Sequence, residues 1–237
     1  MHKQETRITP QNSPPKFLAQ HLKPYELVRE KARGRRVLEI GCGDGYGCAY
    51  LAQVAQEIIG IDYCLETILK AEQKYKAGNI AFRCMEATSL DFQDNSFDII
   101  CSFQVIEHIP QAQLAQYLRE AKRVMKDNGG FYLSTLNLLN AMKPGQAYIK
   151  NPAHCGEFTL PELKTLLTGV FPHVQIYGLY LSPKHRFFQL LKKIGILIDG
   201  FYNKVTTRDF RIARLKPGQP IDFICFCKKT LDKQGVM

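Results

Sequence analysis

Short apolar stretches alternate with longer amphipathic stretches over most of the chain. Apolar stretches with few charges predict strands, and apolar residues spaced three and four apart predict helices. The first four strands predicted in this way are residues 36–40, 57–62, 80–85 and 97–103. Helices are predicted at residues 17–32, 46–56 and 65–77. This alternation favours an α/β protein with a parallel sheet and right-handed crossovers.

The second half of the chain continues the alternation less regularly. Pro110 opens a helix whose apolar stripe includes Leu114, Tyr117 and Ala121. Three more strands are predicted at residues 131–136, 174–180 and 221–228, with a helix near 160–167. The last strand follows a long insertion, so we expect it to be antiparallel. The predicted fold is a Rossmann-like, seven-stranded, mostly parallel sheet with helices on both faces.

Composition narrows the class of protein. The chain has 237 residues, of which 45% are hydrophobic and 23% charged. These values are typical of a globular domain and exclude wholesale disorder, collagen and coiled coil. No apolar run reaches the roughly 18–20 residues that a membrane span needs. The first 36 residues are too polar for a signal-peptide core, so we expect an unprocessed cytoplasmic protein.

The eight cysteines do not form a ligand pattern. They stand at positions 42, 48, 64, 84, 101, 155, 225 and 227. None belongs to a CxxC pair or has a histidine at the spacing of a zinc site. Several lie in apolar strand-like runs, where a free cysteine behaves as a small hydrophobic residue. We therefore predict structural thiols and no metal site.

The stretch after the first strand carries the strongest functional signal. It reads E-I-G-C-G-D-G-Y-G from residue 39 to residue 47, and its glycines let the backbone turn tightly and approach a ligand. The glycine spacing of dinucleotide-binding proteins and the lysine of phosphate-binding loops are both missing. A carboxylate before the glycines also repels a pyrophosphate. It favours a ligand that carries positive charge or hydrogen-bond donors.

Acidic residues follow the next two strands. Because ligands of such sheets bind beyond the carboxyl ends of the strands, we expect these acids beside the glycine loop. Asp62 ends the second strand, twenty-one residues after Gly41, and suits both hydroxyls of a ribose. Glu86 follows the third strand and suits an exocyclic amine such as that of adenine.

These motifs resemble those of the class I S-adenosylmethionine-dependent methyltransferases, in particular the type 11-like group with small-molecule, glycan and lipid acceptors. The resemblance rests on the glycine loop, Ile-Asp at the second strand, E-A-T-S-L-D-F after the third and F-D-I-I-C-S-F-Q-V-I-E-H-I at the fourth. It covers about residues 17–181 and the last strand. It implies S-adenosylmethionine as the cofactor and S-adenosylhomocysteine as the product.

The resemblance also implies a role for each residue of the first two motifs. Glu39 and the backbone of Gly41 and Gly43 would hold the methionine part of the cofactor. Gly45 belongs to the same cofactor-binding loop. Asp62 would accept hydrogen bonds from the ribose hydroxyls.

The later motifs are implied to contact the other end of the cofactor and its reactive centre. Tyr63 would flank the adenine, and Glu86 with the backbone of Ala87 would bind the adenine edge. Most family members have Asp where this chain has Glu86, so this contact departs from the usual pattern. Gln104, which opens the loop after the fourth strand, would lie near the sulfonium.

Two histidines are candidates for the acceptor end. Methyl transfer from a sulfonium depends mainly on alignment, and it needs a base only when the acceptor is a hydroxyl or a protonated amine. His108 follows Glu107 just past the fourth strand. His154 lies in an H-x-x-E-F-T stretch that resembles one in glycan- and lipid-modifying family members. The alternative for Glu107 and His108 is that they hydrogen-bond nearby loops and hold the cleft.

The formal net charge of +10 is unevenly distributed over four predicted segments. Residues 1–36 carry +6 and form a lead-in and a cofactor-covering helix, in which His21 and Tyr25 either cover the cofactor or pack on the sheet. Residues 37–181 carry −4 and form the cofactor-binding core. Residues 182–220 are a basic amphipathic insertion, and residues 221–237 are the last strand and tail; together they carry +8.

The insertion allows two interpretations. Phe187, Leu190 and Ile194 recur at helical spacing among lysines and arginines. Such a stripe suits the anionic inner face of a membrane, or a lipid-linked or phosphorylated substrate. The alternative is a lid over the sheet or a dimer contact, which Gly195 and Gly200 favour because they weaken a long helix.

The sequence thus predicts a methyltransferase that acts on oxygen of a small-molecule, sugar or lipid-linked acceptor. A cofactor-binding module or partner subunit without catalysis is one alternative, since the glycine loop and Asp62 bind rather than react. An RNA methyltransferase is another, which the basic ends favour. Nucleic acid is disfavoured because Ser102-Phe103-Gln104-Val105 stands where amino-methylating nucleic-acid enzymes carry Asn/Asp-Pro-Pro-Tyr/Phe.

Overall fold

The computed structural model describes residues 9–142, 147–195, 204–216 and 219–230. The strands are β1 (Arg36–Ile40), β2 (Glu57–Asp62), β3 (Ile80–Cys84), β4 (Phe97–Phe103), β5 (Met125–Leu136), β6 (His173–Leu181), β7 (Phe210–Arg214) and β8 (Asp222–Lys228). The α-helices are α1 (Pro15–Ala32), α2 (Tyr46–Ala52), α3 (Leu65–Lys74), α4 (Leu114–Val124), α5 (Leu138–Ala141), α6 (Leu160–Thr168) and α7 (Pro183–Lys193).

All of these strands belong to one sheet with the order β3-β2-β1-β4-β5-β8-β6-β7. The pairs among β1 to β5 are parallel, and β8 is antiparallel to both β5 and β6. The predicted α/β class, the mostly parallel sheet and the antiparallel last strand are therefore confirmed. The predicted count of seven strands is wrong, because the described residues alone form a sheet of eight.

The additional strand, β7, comes from the segment predicted as a basic insertion. It pairs antiparallel with β6 at the edge of the sheet, where Phe210 stands opposite Leu181. Phe210 is buried, whereas Arg211 and Arg214 are exposed. An edge strand has a neighbour on one side only, and charged side chains are common there. The basic composition that suggested a separate surface is thus compatible with a strand of the sheet.

Helices cover both faces of the sheet, as predicted. On one face, a core of strand residues packs against α4 and α6 through Tyr117, Leu118 and Leu163. On the other face, α1, α2 and α3 close a second core that includes Leu51 and Ile68. Each connection between the parallel strands β1, β2 and β3 contains one of these helices, so the carboxyl ends of the strands meet at one edge.

The insertion packs on the fold through its later residues, whereas apolar side chains near its start are exposed. Val205 and Phe210 form a small core with Ala19 of α1 and residues of β6 and β8. The preceding helix α7 ends before Gly195, whose φ of +85° is incompatible with its continuation. Gly200 lies outside the described residues. Among the described helices, none is both long and apolar enough to cross a membrane.

Candidate active site

The loop between β1 and α2 adopts a backbone that its glycines allow. Gly41, Gly43 and Gly45 have φ angles of +73°, +51° and +81°, a region that residues with a Cβ atom rarely enter. A Cβ atom at Gly41 would lie 2.5 Å from Cγ2 of Val105, whereas one at Gly43 would meet nothing within 4 Å. The loop therefore packs tightly against the turn after β4 and leaves open space at Gly43.

Asp62 lies beside this open part of the loop. Its buried carboxylate accepts a hydrogen bond from the backbone N–H of Gly43 to Oδ2 at 3.1 Å, and another from Cys64 to Oδ1 at 3.0 Å. The N–H of Gly41 in turn donates to the carbonyl of Ile61 at 2.8 Å. Each carboxylate oxygen offers more than one lone pair. Asp62 can therefore order the loop and still accept from a ligand hydroxyl.

Glu39 is buried below the leading helix. Its Oε1 accepts a hydrogen bond from the hydroxyl of Tyr25 in α1, and its Oε2 has no hydrogen-bond partner among the described residues. Burial raises the pKa of Glu39 to about 7, although the Cys48 thiol and the Tyr25 hydroxyl act in the opposite direction. A buried carboxylate oxygen without a donor is costly. It suits a cationic group such as the ammonium of a bound methionine moiety.

The leading helix packs directly on the start of α2. A Cβ atom at Gly47 would lie 2.3 Å from the ring of Tyr25, and the ring centroids of Tyr25 and Phe103 are 4.7 Å apart. Burial lowers the pKa of His21 to about 4, so this imidazole is neutral near pH 7. Tyr25 thus packs against the sheet and also contacts Glu39, so the two alternatives for this residue are compatible.

The raised pKa of Glu39 predicts a measurable pH dependence of stability. Its carboxyl has an ordinary value of 4.5 when unfolded and about 7 when folded, so the unfolded state binds fewer protons between these values. The free energy of unfolding then falls as the pH rises from about 4.5 to about 7, by on the order of 3 kcal/mol. Glu39→Gln keeps the acceptor for Tyr25 and removes this contribution.

Denaturant unfolding without added cofactor at pH 5 and pH 8 measures this effect. At each pH we take the free energy of unfolding of Glu39→Gln minus that of the native chain. We expect this difference to be more positive at pH 8 than at pH 5. Other buried acids titrate in both proteins, so their contributions cancel in this comparison. An identical pH dependence in the two proteins would show that Glu39 is ionised at low cost.

The other predicted cofactor residues follow the same edge of the sheet. Gln104 has a φ of +58°, its N–H donates to the carbonyl of Ser134 at 2.9 Å, and its Nε2 donates to the Ser134 hydroxyl at 3.2 Å. A non-glycine residue in this conformation is strained, and such strain is concentrated at functional sites. The side chains of Tyr63 and Glu86 are exposed, and Ala87 is half-buried against the core.

Glu107, His108 and His154 come together beyond the carboxyl end of β4. The ring centroids of the two histidines are 4.9 Å apart with an interplanar angle of 84°. The N–H groups of Cys155 and Gly156 donate to the carbonyl of Glu107 at 2.7 Å and 3.1 Å. These bonds fasten the loop that carries His154 to the turn that carries the other two side chains.

Glu157 holds the ring of His154. The distance from Nδ1 of His154 to Oε1 of Glu157 is 2.6 Å, and the Glu157 side chain is 3% exposed. Burial, helped by His108 and Lys150, lowers the pKa of His154 to about 4, and burial raises that of Glu157. The contact is therefore a hydrogen bond from a neutral imidazole rather than an ion pair. With Nδ1 as the donor, the lone pair of His154 is on Nε2.

Sequence reasoning identified both histidines but not the buried acids that surround them. Glu107 was considered only as a residue that holds the cleft, and Glu157 only as part of the H-x-x-E-F-T stretch. The separation of three residues between His154 and Glu157 was the available signal. No signal in the sequence showed that Glu107 and Glu157 lie in the same site, because their proximity depends on how two loops pack together at the sheet edge.

Comparisons with known proteins match the part of the chain that carries most of these residues. Residues 38–133, which contain the glycine loop, Asp62 and Glu107, match the family described as methyltransferase domain. A Mycolicibacterium smegmatis protein named "Probable S-adenosylmethionine-dependent methyltransferase" is 36% identical over 151 residues, which are 64% of this chain. These matches support a class I S-adenosylmethionine-dependent methyltransferase. This chain spans 57% of the length of that mycobacterial relative.

Two further proteins similar to this chain extend the comparison. The crystal structure of YcgJ from Bacillus subtilis is 26% identical, with a TM-score of 0.57 over 88% of this chain and 99% of YcgJ. A ubiquinone biosynthesis O-methyltransferase of Bradyrhizobium diazoefficiens is 32% identical over 106 residues, which are 44% of this chain and 41% of that protein. The first likeness covers nearly the whole chain, and the second covers less than half of it.

The residues described above fit S-adenosylmethionine, the cofactor of this family. The open space at Gly43 adjoins the Asp62 carboxylate, as a bound ribose requires. The buried Oε2 of Glu39 offers an acceptor for an ammonium. An acidic, glycine-lined cleft also favours a cationic sulfonium compound over a pyrophosphate.

Proposed function

We propose that this protein transfers the methyl group of S-adenosylmethionine to an oxygen atom of a small-molecule, sugar or lipid-linked acceptor, with S-adenosylhomocysteine as the product. The observation that carries the proposal is the open space at Gly43 beside the buried Asp62 carboxylate, at the edge where the strands end. Transfer to oxygen is supported by the likeness to a ubiquinone biosynthesis O-methyltransferase.

The cofactor supplies an activated methyl group on a sulfonium, so the chain has mainly to bind and align. Well-oriented reactants lower a barrier by about 7–11 kcal/mol. We assign the ribose hydroxyls to Asp62 and the ammonium to Glu39, with the backbone of Gly41 and Gly43 beside it. The strained Gln104 is the residue that we expect near the sulfonium.

The same proposal assigns the adenine and the cover of the cleft. Tyr63 flanks the adenine ring, which its exposed position after β2 allows. Glu86 and the backbone of Ala87 bind the adenine edge. The leading helix covers the methionine end through Tyr25, which already donates to Glu39.

An acceptor hydroxyl must lose its proton, and we assign this step to the pair His108 and His154. His154 is neutral at pH 7, since its pKa is lowered to about 4, and its Nδ1 is engaged with Glu157. Its Nε2 receives the amide of Asn151 at 3.3 Å, a long contact that an acceptor hydroxyl can replace. A lone pair at this position suits a hydroxyl acceptor better than an already neutral amine.

We further propose that α7 rests on an anionic membrane surface when the acceptor is lipid-linked. Phe187 and Leu190 of α7 are 57% and 59% exposed, and Ile194, directly after the end of this helix, is 66% exposed. Lys184 and Arg186 are exposed at the start of the same helix. An amphipathic basic helix lies in the membrane interface with its apolar face inserted. The later part of the insertion, which includes Val205 and Phe210, packs on the fold. This packing supports the alternative that the insertion is a lid.

Replacing the apolar face of α7 tests this contact. Phe187→Ser combined with Leu190→Ser is expected to lower binding to vesicles rich in phosphatidylglycerol at least tenfold, because two apolar side chains no longer insert. Cosedimentation measures the binding. Ile149→Ser is the matched control, since Ile149 is 86% exposed outside this helix. Equal binding by both variants would favour the lid or dimer interpretation.

Turnover with a labelled donor tests the proposed reaction. The purified protein is incubated with S-adenosylmethionine that carries a radiolabelled methyl group and with an extract of the source cells, and the products are divided into lipid, small-molecule, protein and RNA fractions. Label in the lipid or small-molecule fraction supports the proposal. Label in the RNA fraction contradicts the acceptor class. Cofactor binding without any labelled product favours a binding module.

A further inference from the structure

We propose that Glu107, His108 and His154 form a binding site for a divalent metal ion of the zinc type. One ligand atom from each of the three side chains lies within 4.8 Å of the others. Two imidazoles and one carboxylate are a common protein ligand set for zinc, with further positions left for water or substrate. This site was not expected from the sequence, because cysteine spacing says nothing about residues that meet through two loops.

The hydrogen bonds around the two rings are those that metal-binding histidines usually make. Nδ1 of His108 lies 3.1 Å from the carbonyl oxygen of Ala153, and Nδ1 of His154 lies 2.6 Å from Oε1 of Glu157. A ligating histidine donates its other N–H to such an acceptor, which fixes the ring and makes the ligand nitrogen more basic. The lone pairs of both rings are therefore on Nε2. That of His154 accepts the amide of Asn151 at 3.3 Å, a contact that the ion would replace.

The local charge also favours a cation. The buried side chain of Glu107 lies near the carboxyl groups of Asp222 and Glu157. Among the described residues, no lysine or arginine forms an ion pair with Glu107 within 4.0 Å; Lys150, which lies near His154, donates to the carbonyl of Cys155. Buried carboxyl groups that lie close together are costly to ionise without a neighbouring cation. A divalent cation would compensate them.

The cluster is also held at short range before any ion binds. The Glu107 carboxylate accepts from the hydroxyl of Thr135 at 3.0 Å, and the carbonyl of Glu107 receives the two N–H groups of the His154 loop. Oε2 of Glu157 is buried with no partner among the described residues. Ion binding thus needs only small side-chain movements within a fixed frame. Nitrogen donors favour zinc over magnesium.

A metal ion at this site would act on the acceptor, a consequence that rests on the proposed function. With both imidazoles held by the ion, the base role assigned to them above would pass to the metal. It would bind the acceptor oxygen and lower the pKa of its hydroxyl, so that the proton leaves to water. The oxygen then forms a bond to the methyl carbon as the carbon–sulfur bond breaks, and the sulfonium becomes a neutral thioether. The ion is not consumed.

Calorimetric titration of the chelator-treated full chain with zinc chloride tests the site. We expect one equivalent to bind, His154→Gln to weaken binding at least a hundredfold, and Glu157→Gln to weaken it about tenfold to a hundredfold. His173→Gln is the matched control, since His173 stands at the start of β6, and it should bind zinc normally. Cobalt absorption in the visible range reports whether nitrogen and oxygen are the ligands.

Two further measurements keep this inference separate from the proposed function and from thiol chemistry. Affinity for S-adenosylmethionine is measured in the same samples, and cofactor binding without zinc binding would overturn the metal site alone. Cys84→Ser and Cys155→Ser remove the exposed thiols. Zinc binding that is lost in these variants, or kept in His154→Gln, would also overturn it. Melting curves confirm that each variant is folded.

Discussion

Asp62→Ala is expected to weaken binding of S-adenosylmethionine by at least tenfold. The carboxylate is buried at the end of β2, beside the open space at Gly43, and would accept both ribose hydroxyls. Hydrogen bonds to a charged acceptor contribute about 1.5–3 kcal/mol each, which is tenfold or more in affinity. The substitution also removes the acceptor for the N–H of Gly43 and of Cys64. Isothermal calorimetry measures the affinity.

Two variants separate the loss of ribose contacts from a disturbed loop. Asp62→Asn keeps one acceptor oxygen and removes the charge, so we expect an affinity between those of the native chain and Asp62→Ala. Asp91→Ala is the matched control at an exposed aspartate outside the glycine loop and should leave binding unchanged. Native affinity in Asp62→Ala, with a native melting temperature, would contradict the ribose assignment.

The part of the fold around the glycine loop was predictable because its signals are local. The predicted bounds of β1, β2 and β4 agree with the structure. These three strands are buried along almost their whole length, and such strands are short continuous apolar runs that composition alone reveals. The tight turn of the loop was predictable as well, because glycine is the residue that readily adopts the positive φ angles found there. Helix ends were less predictable, and α2 ends at Ala52 rather than at residue 56.

The remaining features depend on contacts between distant parts of the chain. β7 is a strand because β6 offers a free edge, and its two arginines, Arg211 and Arg214, interrupt the apolar pattern that would reveal it in the sequence. α4 begins at Leu114 because a 3-10 turn, Gln111–Gln113, separates it from Pro110. His154 lies close to Glu107 because backbone hydrogen bonds join the two loops that carry these residues. Neither the spacing of residues along the chain nor its composition shows which distant residues come into contact.

Gly43→Ala is expected to weaken cofactor binding at least tenfold while it costs little stability. Its φ of +51° makes any Cβ atom unfavourable by about 1 kcal/mol, but nothing lies within 4 Å of that atom. The new methyl group would instead occupy the space that we assign to the cofactor. Gly34→Ala is the matched control, because Gly34 has a φ of +63° and equally open surroundings after α1.

The two substitutions should therefore lower the free energy of unfolding by similar amounts and differ in calorimetric affinity for S-adenosylmethionine. Gly41→Ala completes the comparison, since a Cβ atom there would lie 2.5 Å from Cγ2 of Val105 and should cost more stability than either. If Gly43→Ala bound the cofactor as well as Gly34→Ala does, the space at Gly43 would open to solvent rather than to the cofactor. The methionine end would then have to approach the loop from the side of Glu39.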